Sequence, residues 1–108
     1  MRRIALTLVA TGIAGCVSLH SEHVLTGTPR AAFTGSVKVV MDGSPGPTDY
    51  DEVGIVSATG SGDSAALPAV LGALQGESAG LGCDAVLRVR YDRGVESATA
   101  TGVCVRLR

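Results

Sequence analysis

Two β-prone runs near the end of this chain, 84–91 and 96–107, are separated by Asp92-Arg93-Gly94-Val95 and carry a cysteine at each outer edge. Apolar and β-branched runs broken by such a turn predict a β-hairpin. A two-residue turn at Arg93-Gly94 would set Cys83 directly opposite Cys104. Counting outward from the turn, that pair falls in the non-hydrogen-bonded class, with Cα atoms about 4.5 Å apart. This is within disulfide reach, at the short end. The same register places Ala85, Leu87 and Val89 on one face with Ala98, Ala100 and Gly102. Arg88 and Arg90 then share the other face with Thr99 and Thr101. Val86, Val103, Val105 and Leu107 sit awkwardly on that wetter face, which implies partial cover or a slipped register. A Cys83–Cys104 bridge would contribute about 3 kcal/mol through loop closure; the alternative is two buried free thiols on neighbouring strands.

Upstream, Val37, Val39 and Met41 alternate with polar neighbours and predict a strand that ends in the turn residues Asp42 to Pro47. Val53 to Ala58 reads as a second strand. A helix is expected from about Ser64 to Leu81, capped by Asp63 or Ser64 and stopped by Gly82. Leu67, Val70, Leu71, Leu74, Ser78 and Leu81 share one helical face, and Pro68 is tolerable near the first turn. Gly72, Gly76 and Gly80 form a smooth ridge, read as close packing on the protein's own sheet. The expected fold is α+β: a small single domain of order ββαββ, with one helix on a mainly antiparallel sheet ending in a C-terminal hairpin.

The beginning of the chain carries a different signal. Arg2 and Arg3 precede the mostly apolar run Ile4 to Ala10, and Ile13-Ala14-Gly15 closes it against Cys16. The layout is that of a secretory signal peptide, and its end resembles the lipobox of bacterial lipoproteins, in which the cysteine is acylated and becomes the mature N-terminus. The apolar run is shorter than the roughly 20 residues that span a bilayer. The resemblance implies cleavage after residue 15, lipidation of Cys16 by acyl chains such as palmitate, and attachment in the cell envelope. Position 17 is Val rather than the Asp that favours inner-membrane retention in such proteins, so the outer membrane is the default destination if the source is Gram-negative. Residues 16–35 lack a sustained period and read as a flexible tether, leaving 36–108 as the folded domain. The tether would give a separation of roughly 25 Å between its ends.

The stretch Leu81-Gly82-Cys83-Asp84-Ala85-Val86, with Val89-Arg90-Tyr91-Asp92 and Thr101-Gly102-Val103-Cys104-Val105, resembles YbjQ-like domains and, more loosely, RcsF-like envelope lipoproteins. So does Val53-Gly54-Ile55-Val56. The resemblance implies a ββαββ fold. Cys83 and Cys104 both stand where the pattern commonly has Ala, and Asp84 where it has Asn; paired replacement of two opposed residues favours a cross-strand bridge. The disulfides of RcsF-like proteins do not map onto one pair here, so sensing does not carry over residue by residue, and the chain gives little support to the heavy-metal-binding label of YbjQ-like domains.

Chemistry is sparse. Beyond the signal, seven basic residues face ten acidic ones, a formal charge of −3, with no basic stripe or aromatic platform for nucleic acid. His20, Glu22 and His23 are the nearest approach to a metal cluster, but a tether offers no shell to fix them. Asp49, Asp51 and Glu52 form an acidic loop without EF-hand spacing. Ser57, Ser61 and Ser64 lack a histidine nearby in sequence, and no nucleophile elbow or phosphate loop is present. Arg88, Arg90 and Arg93 form a candidate contact patch or, equally, solvated strand charges. No catalytic residue, metal or cofactor is expected. The expected partners are membrane lipid, through Cys16, and an envelope protein. The expected role is that of an adaptor, assembly factor or stress sensor, with a small ligand- or metal-binding module as the alternative.

Overall fold

A computed structural model describes residues 18–108. Five strands form one sheet in the order β1-β3-β5-β4-β2. They are β1 (Leu19–Leu25), β2 (Lys38–Met41), β3 (Tyr50–Ser61), β4 (Ala85–Arg93) and β5 (Ser97–Leu107), with helix α1 (Leu67–Gly80) between β3 and β4. Only β2 against β4 is parallel. The α+β class, the single helix on a mainly antiparallel sheet and the closing hairpin are as expected, with one strand more.

That extra strand corrects the tether. Leu19–Leu25 pairs along its whole length with β3, from Leu19 opposite Gly60 to Leu25 opposite Gly54. The chain then straps across the end of the helix: the amides of Thr26 and Gly27 donate to the Val53 carbonyl, that of Arg30 to Leu81, and that of Phe33 to Ala79. Phe33 packs on the core, with the Arg106 guanidinium 5.1 Å from its ring centre. Residues 18–35 therefore belong to the packed domain rather than to a tether ahead of residue 36. Leu-His-Ser-Glu-His-Val-Leu hides its strand character because it is an edge strand whose helix-side residues Ser21 and His23 meet a carboxylate rather than a core.

The helix begins later than expected. A 3-10 turn, Gly62–Ala65, absorbs Asp63 and Ser64, and Ala66 precedes α1 without a side-chain cap. Pro68 falls in the first turn, where its missing N–H removes no helical bond. At the other end the Cys83 amide donates to Ser78 and the Gly82 amide to Ala79, with Gly82 at φ +86°. This is a Schellman end, as the glycine predicts. Val70, Leu74 and Ser78 are buried under the helix, and the Ser78 hydroxyl is satisfied by the Leu74 carbonyl at 2.8 Å. The ridge of Gly72, Gly76 and Gly80 faces open space instead of the sheet.

The hairpin forms with a different register. Gly94 donates to the Ser97 carbonyl at 2.7 Å, so Val95-Glu96 make the turn and Arg93 faces Ala98. Between Leu87 and Arg90 the pairing shifts at Arg88, which has φ +53°. An extra residue in the left-handed region is a β-bulge, and it reverses the alternation of β4. Val86 and Val89 both point to the helix side, while Ala85 and Leu87 join Val105 in a second small cluster on the outer face with Val40, Tyr50, Val103 and Leu107. Both tensions in the sequence are thereby resolved: the register does slip, and the wetter face is partly covered.

Gly102 is the residue that this bulge requires. A Cβ there would lie 2.5 Å from Val86 Cγ1 and 2.9 Å from Val89 Cγ2. Gly102→Ala is expected to destabilise by about 1–3 kcal/mol through overpacking, measured as a lower urea midpoint with unchanged slope.

Candidate functional site

Cys16 lies outside the described residues, but Ser18, two positions on, is held firmly. Its carbonyl accepts the Ser61 amide at 2.9 Å, and the two hydroxyls are 2.7 Å apart. Ser61 faces Ser97 on β5, and the Gly62 amide reaches the Glu96 carbonyl in the hairpin turn. The Tyr91 hydroxyl and Arg93 Nη1 both donate to the Ala65 carbonyl, at 2.6 and 3.1 Å. The start of β1, the end of β3, the 3-10 turn and the β4–β5 turn therefore make up one end of the molecule. Exposed apolar side chains gather there: Leu19 (47% exposed), Leu67 (41%) and Val95 (96%).

The disulfide joins Cys83 to Cys104 with Cα atoms 5.7 Å apart, both cysteines fully buried. It does not link directly opposed residues. Cys104 faces Val86, and Cys83 belongs to the Schellman end of α1, so the bridge fastens the helix terminus to β5 at the centre of the sheet.

The candidate metal residues do not converge. Strand alternation turns His20 and Glu22 to the outer face, where they pair with each other at 3.4 Å, and turns His23 to the helix side. Among the described residues no group of three metal-ligating side chains comes together. Instead Glu77 of α1 clamps the edge strand, accepting from Ser21 Oγ at 2.6 Å and from His23 Nδ1 at 2.5 Å. The His23 hydrogen bond, then that of Ser21, holds the Glu77 carboxyl below its usual pKa, against the opposing effect of burial. A carboxyl whose pKa is depressed by folding stabilises fully above its unfolded value, about 4.3, and loses that contribution as pH falls through the lower folded value. Glu77→Gln is thus expected to cost about 1 kcal/mol near neutral pH, with the deficit shrinking below about pH 4. Urea titrations across that range check it.

Asp51 is the second polar node. Hydrogen bonds and charge from Arg108, and more weakly from Arg30, hold its carboxyl below the ordinary range. Asp49 also binds Arg108 and Glu52 accepts from Thr26 Oγ1 at 2.7 Å, so each carboxylate of the acidic loop is engaged by the chain's own side chains. Ser61 is engaged with Ser18, Ser57 faces Glu22 and Thr101, and both histidines bond to carboxylates. The three arginines do not form one patch. Arg93 is pinned to Ala65 on the helix side, while Arg88 lines a shallow outer-face cleft with Val40, Tyr50 and Leu87.

The outer face carries the other exposed apolar ground that sequence reasoning passed over. Val24 on β1 (67% exposed) stands opposite Ile55 on β3 (44%), and Ile55 in turn faces Val103. β1 borders this strip with a strand edge that is unpaired among the described residues. The signal lay in Val24 and Ile55, but it became visible only once Leu19–Leu25 was placed in the sheet.

No family model, curated protein or solved structure matches this chain.

Proposed function

We propose that the chain is a bacterial lipoprotein, acylated at Cys16, whose small domain acts through protein contacts in the cell envelope as an adaptor, assembly factor or stress sensor, without catalysis. One observation carries this reading: the basic start, the short apolar run and Ile13-Ala14-Gly15-Cys16 stand in the order that export and lipidation require. The likeness of Leu81 to Val86 and Thr101 to Val105 to YbjQ-like domains and, more loosely, to RcsF-like lipoproteins supports an envelope setting but not the sensing role itself. If the source is Gram-negative, the lack of a retention Asp at position 17 supports the outer membrane as its destination. No helix among the described residues is long and apolar enough to cross a membrane. The open strip of Val24 and Ile55 beside the β1 edge, bordered by Glu22, Ser57 and Thr101, supports contact with a protein, since it is not the enclosed, mostly apolar cleft that a small ligand needs.

In-cell crosslinking tests this function. The wild-type protein is expected to capture an envelope protein, and the capture should fall at least several-fold for Val24→Asp/Ile55→Asp and for Cys16→Ala, which loses the anchor. Wild-type protein that captures no envelope protein contradicts the reading.

A further inference from the structure

The anchor and the sheet are closer together than any tether would allow. Only Val17 separates Cys16 from Ser18, whose backbone and hydroxyl are already bonded to Ser61. Two residues of extended chain reach roughly 7 Å. A lipid on Cys16 would therefore bring the Ser18 end of the sheet to the headgroups and leave little freedom to turn it elsewhere.

We infer that the end of the domain formed by Leu19, Leu67 and Val95 seats directly on the lipid surface, with the Val95 hairpin tip entering the interface. This rests on the proposed acylation of Cys16. The three side chains lie at the starts of β1 and α1 and in the β4–β5 turn, which are joined through Gly60, Ser61, Ser97 and Glu96. Val95 is almost fully exposed, and nothing in the fold of the domain uses it. Asp63, Asp92 and Glu96 outnumber Arg93 around them, so contact rests on the three apolar side chains and anionic lipid adds nothing to it. The Leu25 end of β1 lies roughly 20 Å further along the strand and stays in water.

The chain has no tryptophan, so a single introduced indole reports from one place. The full-length protein is purified from bacterial membranes as Val95→Trp or Leu25→Trp and reconstituted in phosphatidylcholine vesicles with or without acyl-chain bromines. The N-terminal mass of each sample is recorded alongside. Val95→Trp is expected to emit at shorter wavelength and to lose most of its intensity over brominated lipid, while Leu25→Trp is unaffected. Acylated, vesicle-bound protein whose Val95→Trp emission is unquenched overturns the seat while sparing the anchor. Protein without lipid at Cys16 that is still quenched upholds the seat and removes the anchor; without lipid and unquenched, both fall. Equal quenching at Leu25 also overturns it, because no one end would then be favoured.

Discussion

Leu74→Ala is expected to remove about 3–4 kcal/mol of unfolding free energy, the largest loss from any single core truncation in this domain. Leu74 is fully buried and heads a set of buried side chains otherwise made of valines, cysteines and a serine. It stands in the middle of α1, whose other buried residues are Val70 and Ser78, and it meets a sheet surface of Val53, Val56, Ala58, Ala100 and Cys104. The two alanines and the bridged cysteine on that surface cannot swing in to fill the space, so most of the cavity would remain and its cost with it. Small domains have only about 5–15 kcal/mol in total. Urea unfolding should show a midpoint lowered in proportion, and Leu74→Met, which keeps the volume, should lose less than about 1.5 kcal/mol.

Removing the disulfide is the second large effect. The bridge closes a loop across a sequence separation of 21, and reopening it is expected to cost about 3 kcal/mol, chiefly by freeing the unfolded chain. The double variant Cys83→Ala/Cys104→Ala should lose this amount, and reducing agent should lower the wild-type midpoint while leaving the variant unmoved. Helix α1 gives a local readout. Cys83 is the residue whose amide closes the Schellman end on Ser78, so amide exchange should quicken most at Leu81 to Asp84, ahead of the sheet centre.

The bridge was legible in the sequence, but its geometry was not. Two β-prone runs around a turn announce a hairpin, and two cysteines at their outer edges suggest a pair. The turn residues mislead: Gly94 begins the ladder by donating to Ser97 instead of occupying the turn. Arg88 then adopts a left-handed conformation that nothing in an arginine advertises. These shifts carry Cys83 out of β4 into the helix end, where the Schellman turn returns it to Cys104. Gly82 was readable as a helix stop because a positive φ selects glycine. β1 was not, since its helix-side partners are a serine and a histidine bonded to Glu77 and no apolar alternation marks it. Its consequence is functional: the tether read from a lack of periodicity is replaced by a strand that begins three residues after Cys16.

On the proposed function, Cys16 is the residue on which the others depend. The most direct measurement is the mass of the N-terminal peptide from protein extracted from its native membranes. The expected species begins at Cys16 and carries a thioether-linked diacylglycerol. A peptide retaining residues 1–15, or one with a free thiol at Cys16, would contradict the account.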